Sequence, residues 1–264
     1  MSAILGDKPE DVRDRILLVP GNHDVNLRIS AADLVDFDFN KQSNNIPFKE
    51  TNTVRSDHVV LGLEPFRHFS QELTGDRFWR DSSTLSRVSN RFLHLGIQVL
   101  LLNSASLIDA KNPKRAGTSK EELDYITEML HKIEYVDKPF RMLISHHGPQ
   151  EVAHEVWSNQ DWQRLNAWLG VNKADLYLFG HGHGYGERVL GKPSGRPGLP
   201  CVMAPTPHLG GKVRHEGDKR GFVIIELRRK DRRVQSTQAF HYEVEPGKAV
   251  LANKSDVWRR LSDD

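Results

Sequence analysis

Short apolar runs that stop abruptly at polar residues constrain the fold of this chain more than any other sequence feature. These runs occupy residues 15–19, 97–102, 141–144 and 176–179, and each is followed within two positions by Gly, Asn, Ser or His. Continuous apolar runs of this length are typical of strands covered on both faces, as in the parallel sheets of α/β proteins. Residues that carry chemistry collect at the carboxyl ends of such strands. The pattern therefore predicts an α/β fold with a functional site built from strand-end loops.

Two segments between these runs have the periodicity of amphipathic helices. They span 119–133 and 161–169, and Ser119 with Glu122 predicts a capping box at the start of the first. The apolar face would consist of Leu123, Ile126, Leu130 and Ile133 in the first segment, and of Trp162, Leu165, Trp168 and the adjacent Leu169 in the second. We interpret the tryptophans as packing residues and not as a substrate platform, because they follow the helical spacing.

The remaining stretches differ in character. Residues 221–227, a turn at 230–232 and residues 234–242 predict a β-hairpin. The polar stretch 29–81, which also contains scattered aromatic residues, is either a cap-like insertion near the site or a peripheral helical excursion. Residues 1–264 are predicted to form a single domain, a size that suits one α/β unit.

Composition limits the partners and the compartment. The net charge of +2 does not indicate a strong attraction to nucleic acid or to an anionic membrane. Cys201 is the only cysteine, so an intrachain disulfide and a thiolate metal cluster are excluded, and a reducing, cytoplasmic location fits. No apolar run is long enough to span a bilayer, so no membrane partner is expected.

Three polar clusters that directly follow apolar runs contain the ligand types of a metal site. They are Gly-Asn-His-Asp at 21–24, Ser-His-His-Gly-Pro at 145–149 and Gly-His-Gly-His at 180–183. Imidazole nitrogens suit Zn, Fe and Mn, and amide or carboxylate oxygens suit the harder ions. A single cluster of this kind would be read as a turn or a chance pair of histidines. Three of them, each after a predicted buried strand, favour a metal site.

These clusters, in this order, resemble the last three of the five sequence blocks of the calcineurin-like metallophosphoesterase superfamily. The matching blocks are Gly-Asn-His-Asp at 21–24, a strand-end histidine at His146 and Gly-His-x-His at 180–183. Segments 99–105 and 221–227 and the helix after Gly117 are also similar to the family pattern. The resemblance covers nearly the whole chain, and it is specific for the superfamily but not for a substrate. It implies an α/β sandwich of two mixed sheets flanked by helices.

The resemblance also implies a dinuclear centre of divalent ions, Mn, Fe or Zn, that share a bridging hydroxide. Asn22, His146 and His181 would bind the second metal, and His183 would bind the first. His146 is preferred to His147 because it follows the strand directly, and His147 remains the alternative.

His23 and Asp24 would be catalytic in such an enzyme. The resemblance implies that His23 protonates the leaving oxygen or steadies the charge of the transition state, and that Asp24 orients it. The expected activity is hydrolysis of a phosphoester substrate by a phosphodiesterase, with cyclic nucleotides as one candidate substrate. The slight basis for a diesterase is Asp24, where the Ser/Thr protein phosphatases carry Glu. Two alternatives stay open: a DNA or RNA nuclease of the same superfamily, and an inactive fragment or pseudoenzyme that acts as a binding module.

The first two blocks of the superfamily, Asp-x-His and Gly-Asp-x-x-Asp, have no match in this sequence. Gly6-Asp7 is only a weak remnant of the second block, because no apolar run precedes it. The expectation from this departure is a domain truncated at its N-terminus, without the bridging carboxylate and two other ligands of the first metal. Such a chain would have little hydrolase activity alone.

Overall fold

The computed structural model describes the chain in blocks. These are residues 13, 15–27, 62–75, 84–108, 112–113, 115–132, 138–149, 157–181, 186–190, 198–205, 221–231, 233–245 and 248–259. Within 29–81 only 62–75 is described, so the cap-like insertion and the helical excursion both stay predictions. His183 and Asp7 also lie outside the described residues.

The larger sheet is mixed and contains six described strands. They are β1 (Arg87–Ser89), β2 (Ile97–Leu102), β3 (Phe140–Ser145), β4 (Leu176–Phe179), β5 (Gly186–Leu190) and β6 (Leu199–Met203), in the order β1-β2-β3-β4-β6-β5. Strands β2, β3, β4 and β6 are parallel, and β1 and β5 lie antiparallel at the two edges. The strands predicted at 97–102, 141–144 and 176–179 are confirmed, and their carboxyl ends meet at one edge of the sheet.

The run 15–19 is not a strand, which corrects the prediction from its composition. It has no regular secondary structure and belongs to neither described sheet. Burial still explains its apolar character. Leu17 and Val19 pack against the core between the two sheets, whereas Leu18 packs into a separate cluster with Leu63. Because alternate side chains of an extended chain point in opposite directions, one apolar run can fill two cores without a ladder partner.

The smaller sheet is antiparallel among the described residues. Its strands are β7 (Gly221–Lys230), β8 (Arg233–Glu245) and β9 (Lys248–Arg259), in that order. The predicted hairpin is confirmed by β7 and β8, and its turn places Asp231 at a left-handed φ of 49°. Strand β9 was not predicted. Among the described residues this sheet is antiparallel, which differs from the expectation that both sheets are mixed.

Helices cover one face of the mixed sheet and the antiparallel sheet covers the other. The described residues include the α-helices α1 (Glu64–Thr74), α2 (Lys120–His131) and α3 (Asn159–Asn172). Ile126 of α2 and Leu165 of α3 share a buried cluster with Leu143 of β3. On the opposite face, Val99 packs in a second cluster with Ala239 of β8. None of these helices is long and apolar enough to cross a lipid bilayer.

The start of α2 satisfies half of the predicted capping box. Ser119 Oγ accepts a hydrogen bond from the backbone N–H of Glu122 at 3.3 Å. The Glu122 side chain does not reach back to Ser119, because it turns into the interior and is 5% exposed. It accepts from Leu85 N at 3.0 Å, Ser86 N at 2.6 Å and Asn103 Nδ2 at 2.9 Å. Burial raises the pKa of the Glu122 carboxyl, and these donors oppose the rise.

The helix α3 uses its tryptophans for packing, as the sequence predicts. Trp162, Leu165 and Trp168 all lie in the buried cluster between the helices and the mixed sheet. Trp168 Nε1 donates to Thr127 Oγ1 of α2 at 2.8 Å, so the indole has both an apolar contact and a hydrogen-bond partner. The side chain therefore connects α2 to α3.

Trp168→Ala should lower the free energy of unfolding by about 3–5 kcal/mol, because it removes a buried aromatic side chain and leaves a cavity. Urea denaturation at neutral pH measures the change. Val171→Ala is the matched control on the same helix, since Val171 is 73% exposed and should change stability little. Equal stabilities for the two variants would contradict a packing role.

Glu122→Gln should lower the free energy of unfolding by about 1–3 kcal/mol, because a buried donor then loses its acceptor. Whichever way the amide lies, its NH2 group faces one of the N–H donors that now bind the carboxylate. The control is Glu121→Gln, whose side chain is exposed in the same helical turn. If the two variants unfold at the same denaturant concentration, the buried network contributes nothing to stability.

Candidate metal centre

The parallel pairing of β3 and β4 brings two histidine-containing loops together. Ser145, the last residue of β3, lies opposite Phe179, the last residue of β4. His146 and His181 follow these ends directly or one residue later. Gly180 N donates to His146 O at 3.0 Å, so the two segments stay hydrogen-bonded beyond the ends of β3 and β4. The two loops therefore leave the sheet side by side.

Three of the four predicted metal ligands converge at this edge of the sheet. His146 Nε2 lies 3.0 Å from Asn22 Oδ1 and 3.0 Å from His181 Nδ1. Ligand atoms held about 2.1 Å from one ion lie about 3.0–3.4 Å apart in octahedral or tetrahedral sites, so this spacing fits a single ion. The donor set of one amide oxygen and imidazole nitrogens suits a transition metal.

His147 adds a third imidazole to the same place. Its ring centroid lies 4.7 Å from that of His146 and 4.7 Å from that of His181. The ligand atoms of the three histidines lie within 4.8 Å of one another, so the His146–His147–His181 cluster could hold a metal ion. From the sequence, His147 was the alternative to His146 as the strand-end metal ligand, whereas the structure brings both rings into the cluster.

His147 is held in its neutral form. Burial, together with the neighbouring His146 and His181, lowers the pKa of His147 to about 2. Its backbone N–H donates to Ser104 Oγ at 2.9 Å, and its ring Nδ1 lies 3.0 Å from Ser104 O. A neutral imidazole is the form that binds metal ions, so the electrostatics of this position fit a ligand.

Buried side chains fix the backbone of the loop after β3. The carbonyl oxygen of His147 accepts from Ser145 Oγ at 2.6 Å and from Tyr177 OH at 3.1 Å. Trp157 Nε1 donates to Gly148 O at 2.9 Å. Because these donors are buried and paired, the imidazoles are positioned before any ligand arrives, which reduces the entropy cost of binding.

Close packing explains two glycines of the site but not a third. A Cβ atom at Gly21 would lie 2.7 Å from Nδ1 of His146, and one at Gly148 would clash with the Phe179 ring. A Cβ atom at Gly180 would have its nearest neighbour at 3.8 Å. Space therefore does not require a glycine at position 180.

The turn that carries His181 is strained. His181 has a φ of 62°, in the left-handed region that few residues other than glycine occupy. Such conformations are concentrated at functional sites, where the surrounding structure holds them in place. Here the Gly180–His146 hydrogen bond and the contact of His181 Nδ1 with His146 Nε2 hold this residue.

The predicted catalytic pair lies at the exposed rim of the cluster. His23 and Asp24 are both exposed and belong to the 3₁₀ turn Asn22–Asp24. Asp24 Oδ2 accepts from Gly21 N at 2.8 Å and so stabilises the turn that presents Asn22. No hydrogen bond among the described residues joins Asp24 to His23, so the expected orienting contact is not formed. The catalytic roles of both residues stay predictions.

Ser104 is a site residue that sequence reasoning missed. It lies two positions after the end of β2, at the same edge of the sheet as His146 and His181. Its position after a strand was the only sequence signal for a role in the site. Serine is common after strands, so this position alone does not identify a site residue. Its contacts with His147 show that three neighbouring strand ends contribute to the cluster.

The chain matches no protein-family model and no curated protein. The superfamily resemblance therefore stays an expectation drawn from the sequence blocks, and the function has to be argued from the residues of the site.

Gly21→Ala should weaken metal binding by about tenfold to a hundredfold, the range typical of changes that reorient a ligand. The added methyl group would displace the His146 ring, and the Gly21 φ of −114° is one that alanine adopts without strain. Gly180→Ala is the control, because its Cβ has room. Isothermal titration with Zn²⁺ compares the two, and equal affinities would contradict the close-packing argument.

Proposed function

We propose that this chain is a metal-dependent phosphoester hydrolase of the calcineurin-like metallophosphoesterase type, acting as a phosphodiesterase. The observation that supports this proposal is the convergence of Asn22 Oδ1, His146 Nε2 and His181 Nδ1 at the carboxyl ends of parallel strands. The order in which these residues occur along the chain agrees with the family blocks.

The described residues would perform distinct tasks in such a reaction. Asn22, His146 and His181 would hold an ion, and the exposed His23 would meet the leaving oxygen of the substrate. A divalent ion supplies polarisation of the phosphoryl group and a hydroxide near neutral pH. The buried, neutral His147 lines the inner side of the cluster. A second ion, with His183 among its ligands, is part of the same proposal and involves residues outside the described ranges.

A small phosphodiester is the favoured substrate class. The net charge of +2 over 264 residues does not provide the basic surface expected of a nuclease. The partly buried ligands and the exposed His23 indicate a site that is reached from solvent at its rim. Nuclease activity and metal binding without hydrolysis are the two alternatives that an assay has to separate.

The test combines metal analysis with hydrolysis of bis-p-nitrophenyl phosphate, a cyclic nucleotide and single-stranded DNA in the presence of Mn²⁺. Chelator-sensitive hydrolysis of the first two is the expected result, at a low rate for this chain, because the ligands supplied by the first two family blocks have no match in its sequence. His146→Ala and His181→Ala should lose most bound metal. His23→Ala should keep the metal and lower turnover by about 10²–10⁴-fold, the usual contribution of a general acid.

His131→Ala is the control for these histidine variants, because His131 is exposed in the last turn of α2. It should leave both metal content and turnover unchanged. Loss of metal in His23→Ala would show that the roles are assigned wrongly. Metal binding by the wild-type chain without hydrolysis of any substrate would favour a binding module.

A further inference from the structure

One nitrogen of the cluster has no hydrogen-bond partner. His147 is fully buried, and its Nε2 is among the described buried atoms that lack a partner. Of those atoms, only this one belongs to the His146–His147–His181 cluster. Native proteins rarely leave a buried polar atom unpaired, and an ion or a water molecule is a common explanation where they do.

The other ring nitrogen identifies the tautomer. Nδ1 of His147 lies 3.0 Å from the carbonyl oxygen of Ser104. A carbonyl oxygen can only accept, so a hydrogen bond at this contact requires the ring proton on Nδ1, and the Ser104 hydroxyl 3.1 Å from Nδ1 can accept from the same N–H. In the neutral ring, Nε2 is then an unprotonated lone pair. Metal-binding histidines commonly have this arrangement, in which the second nitrogen donates to a backbone carbonyl.

The carbonyl that sets this tautomer is itself held in place. Ser104 O also accepts from Gly117 N at 3.0 Å, so both of its lone pairs are used. The preceding residue, Asn103, donates from its backbone N to Ser86 Oγ at 2.9 Å and from Nδ2 to Glu122 at 2.9 Å. A flip of the imidazole ring would break the contact between Nδ1 and Ser104 O. The backbone at 103–104 is held by hydrogen bonds with Gly117, Ser86 and Glu122.

We infer that His147 is a ligand of the candidate metal centre through Nε2, alongside His146, with the Ser104 carbonyl holding it in the metal-binding tautomer. This inference rests on the proposed metal-dependent function and goes beyond it, since the strand-end block accounts for a single histidine. Both histidines after β3 would then hold the same ion. His146 Nε2 lies 3.0 Å from Asn22 Oδ1, and His147 is fully buried.

The direct test is nuclear magnetic resonance of the wild-type chain labelled with ¹⁵N-histidine, titrated with Zn²⁺. In the metal-free protein, His147 should show a protonated Nδ1 and an unprotonated Nε2. Zinc should shift the Nε2 resonance of His147 together with those of the ligand nitrogens of His146 and His181. A His147 Nε2 resonance that stays in place while the other two shift would overturn the inference and leave the proposed function standing. Failure of wild-type protein to bind zinc would overturn both.

A substitution separates binding from packing. His147→Leu removes the unpaired nitrogen and leaves the Ser104 carbonyl bonded to Gly117 N and Ser104 Oγ bonded to the backbone N–H of residue 147. It should therefore keep the thermal stability of the metal-free protein while weakening Zn²⁺ affinity at least about tenfold. A structural histidine predicts the reverse: lower stability and unchanged affinity. His147→Gln, which retains a polar group, is the second variant if leucine prevents folding, with the same expected loss of affinity.

Discussion

The parallel register between β3 and β4 is the constraint on which the candidate centre depends. Ser145 lies opposite Phe179, so the loops that carry His146 and His181 leave the sheet at the same level. A slip of one residue would turn every side chain of β3 to the opposite face. Leu143, now buried towards the helices, would then face the antiparallel sheet. Packing on both faces of the sheet therefore fixes the register between β3 and β4. That register in turn places the imidazoles of His146 and His181 next to each other.

Burial on both faces explains which strands could be predicted from the sequence. All positions of β2 are buried, with Leu100 and Leu102 facing the helices and Val99 and Leu101 facing the second sheet. The run 15–19 is similarly apolar, yet its side chains reach two cores without a ladder partner among the described residues. Composition reports burial, whereas hydrogen-bonded pairing depends on neighbours that are distant in sequence.

The residues of the centre were predictable to different degrees for a similar reason. His146 and His181 follow apolar runs and carry a metal-binding group, so position and chemistry both indicated them. Glu122 matched a local capping pattern, but its carboxylate instead binds donors that a linear pattern does not contain. The ring of His147 contacts Ser104, which lies 43 residues away in the chain. Tertiary contacts of this kind decide a side chain's role, and they become visible only in three dimensions.

The separation of these residues along the chain has a kinetic consequence. Asn22, Ser104, His146 and His181 come together only after β2, β3 and β4 have paired in parallel. Parallel pairs require long crossover segments to close, which makes them slow to form. An ion that recognises only the assembled centre therefore binds after the main folding barrier has been crossed. It would slow unfolding and leave the rate of folding nearly unchanged, so the lifetime of the native chain would follow the supply of metal.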